Sequence, residues 1–128
     1  MVLIIAEKPS LGRNIAAGIG EFKKRDGYLE SESCLITWAF GHLFSLADIE
    51  HYTGTQGSRW TLDNLPCFPE SFKFELRKSN DKKTVDSGVK KQFKTLEQLC
   101  NRADVDTIVN AGDADREGEI IVRLCVDN

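Results

Sequence analysis

No stretch of this 128-residue sequence is long and apolar enough to cross a bilayer as a helix. The opening Met1-Val2-Leu3-Ile4-Ile5-Ala6 stops at Glu7 and Lys8, where a secretory leader would continue its apolar region, and the expectation is a cytoplasmic protein with no membrane partner. Cysteine is scarce and scattered. Cys34, Cys67, Cys100 and Cys125 form no C-x-x-C pair and have no companion histidine at ligand spacing, which argues against a zinc ribbon or finger. They read as reduced, mostly buried thiols rather than a disulfide framework. No internal repeat, low-complexity tract or interdomain linker interrupts the chain, and its length suits one ordinary domain spanning residues 1–128.

What is present is typical of a soluble globular protein, 41% hydrophobic and 29% charged. The formal net charge of −3 conceals a division along the chain. Residues 71–102 carry nine Lys or Arg against four Asp or Glu, whereas residues 103–128 carry two against seven. A basic segment beside an acidic one suits a protein that holds a phosphodiester and a metal ion together. For Lys82, Lys83, Lys90, Lys91 and Lys94 the plainer reading is a solvated helix face.

The uninterrupted apolar run Val2–Ala6 predicts a central strand of a parallel sheet. Pro9 and Ser10 offer a helix start, and Leu11, Ile15, Ala16 and Ile19 recur at helical spacing until Gly18 and Gly20 permit a stop. Tyr28–Glu30 and Cys34–Phe40 read as extended segments around a polar turn, the second ended by Gly41 and His42. Residues 47–70 read mainly as loop. Phe72–Leu76 alternates like a strand, and Val85, Val89, Phe93, Leu96 and Leu99 or Cys100 mark the stripe of a helix. Thr107–Ala111 predicts another buried strand, and Glu117–Val126 another helix through Ile120, Ile121, Leu124 and Cys125. Alternating strands and helices predict an α/β layered domain around a mainly parallel sheet.

Both buried strands run directly into acid: Val2–Ala6 into Glu7, and Thr107–Ala111 into Gly112-Asp113-Ala114-Asp115-Arg116-Glu117-Gly118-Glu119. Four carboxylates within seven residues repel one another unless a cation or base compensates. Magnesium takes oxygen from one or two carboxylates, keeps waters and bridges to phosphates, so the motif points to metal-dependent phosphate chemistry. Asp113, Asp115 and Glu117 alternate, and an extended loop would turn them to one side. Gly112 and Gly118 would allow tight turns. The alternative is an acidic helix start, with Asp115 capping and Glu117 and Glu119 opposing the macrodipole. If the two strands are parallel neighbours, Glu7 meets Asp113 and Asp115 at the carboxyl edge of the sheet, where open α/β sheets bind ligands.

The ordered set Ala6-Glu7-Lys8-Pro9-Ser10, Trp38-Ala39-Phe40-Gly41-His42-Leu43 and Gly112 to Glu119 closely resembles the Toprim domain of type IA DNA topoisomerases, particularly the topoisomerase III branch. The resemblance runs in order over nearly the whole chain. It implies a Rossmann-like α/β fold with a mainly parallel central sheet flanked by helices. It also implies ATP-independent cleavage, strand passage and religation of single-stranded or locally unwound DNA through a 5′-phosphotyrosyl bond. Glu7 matches the general acid for the leaving 3′-oxygen and is a further candidate metal ligand. Lys8 matches the basic residue at the scissile phosphate. Asp113, Asp115 and Glu117 match the acidic triad that binds Mg²⁺. His42 and Arg116 gain DNA-contact roles, although His42 also fits a structural turn and Arg116 a neutralising charge. Ser10 and Arg13 stand near the first helix start, where phosphate contact competes with capping and solvation. Trp38, Trp60, Phe68 and Phe72 are candidates for base stacking, with core packing the simpler fate.

The family's nucleophile is a tyrosine on another domain, and neither Tyr28 nor Tyr52 lies in that motif. The expectation is an N-terminal piece of a larger multidomain topoisomerase, partnered by its remaining domains and inactive alone. Two other readings stand beside it: a Toprim nuclease or primase-like phosphoryl-transfer domain, and a non-catalytic metal- or nucleotide-binding regulatory module.

Overall fold

The structure is a computed structural model describing residues 1–54, 61–79 and 84–128. Strand β1 (Val2–Ala6) leads into helix α1 (Pro9–Ile19), then the short strands β2 (Lys23–Lys24) and β3 (Tyr28–Glu30), and β4 (Cys34–Trp38). Next come β5 (Phe44–Leu46), α2 (Ile49–Thr53) and β6 (Phe74–Leu76), followed by α3 (Ser87–Cys100), β7 (Thr107–Ala111) and α4 (Arg116–Asp127). The main sheet has the order β2-β3-β4-β1-β7, and β5 pairs with β6 in a small antiparallel ribbon. β1 is parallel to both β4 and β7, while β3 turns back antiparallel to β4 through the polar turn at Ser31. The sheet is therefore mixed at one edge and parallel where the acids emerge.

Side-chain alternation divides β1 between two layers. Leu3 and Ile5 are fully buried with Leu35, Val89, Leu96, Leu99, Ile121 and Val122, the layer that packs α3 and α4 against the sheet. Val2 and Ile4 turn the other way, with Ile36, Ala16 and Ile15 beneath α1. A buried Leu or Ile of this kind contributes about 1.5–3 kcal/mol. α1 lies so close to β4 that a Cβ on Gly12 would stand 2.9 Å from the Trp38 ring. Trp38 thus packs against a helix and stays partly exposed. Phe68 and Phe72 do the reverse of the core-packing expectation, at 85% and 68% exposure. Trp60, Lys82 and Lys83 lie outside the described residues.

Other differences have identifiable causes. Thr107–Ala111 forms a strand but not a buried one: β7 is the sheet edge, and Ile108 and Val109 remain about 40% exposed. An apolar run does not say how many neighbours a strand has. In α4 the buried residues are Gly118, Ile121, Val122 and Cys125, whereas Ile120 faces out. Val85 precedes α3 and bridges Lys78, leaving Asp86 to cap the helix by accepting from the Gly88 and Val89 amides. Ser10 does not cap α1; Lys8 occupies that position without a side-chain bond, and Pro9 begins the helix. β2 and β5, each too short to show alternation, escape sequence reading.

All four cysteines are free, with Cys34 and Cys125 buried and Cys67 and Cys100 partly so. Burial, with a smaller effect from Cys100, pushes the Cys125 thiol up to about 12. Lys90, Lys91 and Lys94 are exposed on α3, where Lys91 pairs with Asp26 at 2.8 Å. Among the described residues, no helix is long and apolar enough to cross a membrane.

Candidate functional site

The register Ala6↔Ala111 ends β1 and β7 side by side, so Glu7 and the acidic turn leave the sheet at the same edge. The main-chain amide of Asp113 donates to Glu7 Oε2 at 3.4 Å. Lys8 Nζ stands 4.0 Å from Asp113 Oδ2, both side chains half exposed. An exposed pair at that distance adds little to stability. Its position does matter, because it holds a cation and two carboxylates at a parallel-sheet edge flanked by the N-termini of α1 and α4. Ser10 and Arg13 are exposed on the first turns of α1, and Arg116 is exposed as the first residue of α4.

Close backbone approach shapes the acidic turn. A Cβ on Gly112 would lie 2.8 Å from the Gly118 carbonyl carbon, and one on Gly118 would lie 2.5 Å from the Asp113 nitrogen. Neither glycine has a left-handed φ, so the requirement is space rather than a special turn conformation. The loop lies directly on the first turn of α4. Asn110 reinforces it from β7: its Oδ1 accepts from the Gly112 amide at 2.9 Å and its Nδ2 donates to Glu119 Oε2 at 2.7 Å. Glu119 also accepts from Arg123 at 2.9 Å, which accounts for it without a metal.

The three acids do not follow one extended alternation. Asp115 is the N-cap of α4, its Oδ1 accepting from the Gly118 amide at 2.8 Å. Because α4 begins at Arg116, Glu117 is already turned by helical rotation and meets His42. His42 Nε2 donates to Glu117 Oε2 at 2.6 Å. Among the described residues, no group of three His, Cys, Asp or Glu side chains gathers closely enough to enclose a metal ion. Asp113, Glu7 and Glu117 instead present separate carboxylates around the edge, with Asp115 turned into the helix start.

The turn carrying His42 is fixed to β1. The Ala39 amide donates to the Ala6 carbonyl at 2.9 Å and the Gly41 amide to the Glu7 carbonyl at 3.1 Å. Gly41 has a φ of 67°, which favours glycine, and Leu43 beyond it is buried. Deeper in the core, Gln92 is 4% exposed, and its Nε2 donates to the Trp38 carbonyl at 2.7 Å and the Gly27 carbonyl at 3.1 Å. Sequence reading passed over both Gln92 and Asn110. A polar residue within the α3 stripe was a usable signal for Gln92, whereas nothing local distinguishes Asn110.

Tyr52 sits on α2 with its hydroxyl accepting from the Lys73 amide at 2.9 Å, and Tyr28 is half-buried on β3.

The sequence matches the Toprim domain family across residues 2–128. It is 40% identical over 125 residues to DNA topoisomerase 3 of Bacillus subtilis (strain 168), an alignment covering 98% of this chain and 16% of that protein. DNA topoisomerase 3 of Staphylococcus saprophyticus is 42% identical over 125 residues, with the same coverage. That of Shouchella clausii is 42% identical over 124 residues, covering 97% of this chain and 16% of the relative. The chain therefore spans about 16% of the length of these relatives. With a match that runs almost end to end, and with the acidic turn set beside Glu7 at the parallel edge, the chain belongs to the Toprim domain family.

Proposed function

We propose that this chain is the phosphate-handling, Mg²⁺-dependent half of a type IA DNA topoisomerase active site, and that it acts in the cytoplasm on single-stranded or locally unwound DNA. The observation that carries this reading is the meeting of Glu7, Lys8 and Asp113 at the ends of β1 and β7. Similarity to proteins named DNA topoisomerase 3 supports the same reaction class.

The donor set fits a hard divalent cation. Asp113, Glu7 and Glu117 offer carboxylate oxygens, and Mg²⁺ needs only one or two carboxylates when waters and substrate phosphate complete its octahedron. A closed three-carboxylate cage is not required. Asp113, with Glu7 or Glu117, would hold the ion, while Asp115 would act mainly through the α4 start. Bound there, Mg²⁺ would neutralise phosphate charge and help hold the DNA ends in register for religation.

The chain's own groups do the remainder. Lys8 places positive charge beside the phosphate, where charge develops in the transition state. Glu7 gives a proton to the leaving 3′-oxygen and takes it back when that hydroxyl attacks in religation. Ser10 and Arg13 on α1, His42 on its turn and Arg116 on α4 border the same edge and guide the DNA backbone. Tyr28 and Tyr52 have structural surroundings, so the attacking tyrosine belongs to a further domain of a longer protein.

The test uses the purified 128-residue chain with a labelled single-stranded oligonucleotide and supercoiled plasmid. The expected result is Mg²⁺-promoted oligonucleotide binding with neither strand cutting nor plasmid relaxation. Cutting by this chain alone would favour a Toprim nuclease, and metal and nucleotide binding without DNA affinity in the full-length protein would favour a regulatory module. Either result would overturn the topoisomerase reading.

A further inference from the structure

We propose that His42 is a positioning residue for Glu117, holding that carboxylate ready for the cation. The inference rests on the metal-binding reading of the site. His42 and Glu117 are separated by 75 positions, yet Nε2 and Oε2 stand 2.6 Å apart, a short contact even for a hydrogen bond to an ionised group. The Glu117 side chain is 75% exposed. A glutamate so placed on the first turn of a helix would otherwise sample many rotamers and would lose that freedom on taking a ligand.

The imidazole is not a loose surface group that happens to be near. Gly41 before it donates to the Glu7 carbonyl, and Leu43 after it is fully packed into the core. The same turn is thus tied by its backbone to Glu7 and by its side chain to Glu117. It spans the two sides of the site. The bond occupies Oε2 and leaves Oε1 available to a cation. Carboxylates that bind metals are themselves commonly oriented by a hydrogen-bond donor, and loss of such a donor weakens metal affinity roughly 10- to 100-fold.

The probe is Mn²⁺, an oxygen-seeking ion whose binding to the 128-residue chain is read by electron paramagnetic resonance. His42→Phe keeps a planar ring and removes the donor; His42→Gln keeps an N–H donor. The expected result is a roughly tenfold loss of Mn²⁺ affinity in His42→Phe and recovery of most of it in His42→Gln, with both variants retaining the wild-type melting temperature. Equal affinity in wild type and His42→Phe would overturn the positioning role, as would equal weakening by both substitutions. If His42→Phe fails to fold, the contact is read in the intact fold by nitrogen NMR of the imidazole. Glu117→Gln is expected to shift the His42 Nε2 resonance, and an unmoved resonance overturns the proposal. A wild-type chain that binds no Mn²⁺ overturns the metal-site reading itself, an outcome distinct from a wild type that binds and a variant that loses nothing.

Discussion

Gly112 and Gly118 lie so close that a Cβ on the first would stand 2.8 Å from the carbonyl carbon of the second. Two backbones pass where side chains ordinarily hold them apart, and this contact sets the Asp113 loop on the start of α4. Gly112→Ala and Gly118→Ala are each expected to lower stability by about 1–3 kcal/mol, the usual cost of overpacking a filled space. Chemical denaturation followed by far-UV circular dichroism measures it. A change below about 0.5 kcal/mol in both variants would show that the loop moves aside freely.

Asp115 offers a clean separation of helix capping from metal binding. Asparagine caps about as well as aspartate but carries no charge, so Asp115→Asn should retain nearly full stability while Asp115→Ala loses about 1 kcal/mol. Mn²⁺ affinity should fall less in Asp115→Asn than in Asp113→Asn, because the Asp115 Oδ1 is engaged by the Gly118 amide. Equal loss of affinity in the two asparagine variants would assign Asp115 a direct ligand role.

Gln92 is a buried polar group outside the site on which stability is expected to depend. Replacing it with Leu retains volume but removes the side-chain donor to the Trp38 carbonyl, whereas the Gly27 carbonyl keeps its bond from the Thr37 hydroxyl. An unsatisfied buried acceptor costs about 1–3 kcal/mol. The prediction is a loss in that range by urea denaturation, accompanied by faster amide exchange through residues 38–43, the stretch that delivers His42. Unchanged exchange there would separate the Gln92 contacts from the order of the turn.

The acid limb of the stability profile should report Arg102. Hydrogen bonds from Arg25 and then Arg102 hold Glu30 below its ordinary carboxylate value, and the Arg102 bond does the same for Asp104. Groups depressed on folding contribute stability that is complete above their unfolded values, here about 4.5 and 3.8, and is lost as pH falls through the lower folded values. Wild type should therefore exceed Arg102→Met in urea midpoint at neutral pH, with the gap narrowing below about pH 4.5. Asp104 is half exposed and Glu30 partly buried, so solvent screening limits the gap without removing it. A gap that is constant down to about pH 3 would remove these pairs from the acid response.

Much of the fold was legible because it is written in local patterns. The apolar run of β1, the α3 stripe and the strand–helix alternation each depend on residues within a few positions of one another. The same patterns failed where burial depends on neighbours. Ile108 and Val109 read as buried, yet β7 has only β1 beside it. Phe68 and Phe72, for which core packing is a simpler expectation than base stacking, stand exposed.

By itself the sequence determined that two strands end in acid and that a glycine-flanked turn separates the second from its helix. Strand periodicity, helix caps and the family motifs are short-range properties, and they suffice for that. Only the tertiary structure decided what each acid touches. Parallel register brought Glu7 to Asp113, helical rotation at Arg116 separated Asp115 from Glu117, and packing of the Gly41 turn against β1 delivered His42 to Glu117. A hydrogen bond 2.6 Å long across 75 positions is fixed by the packing between its partners, and no local pattern encodes it.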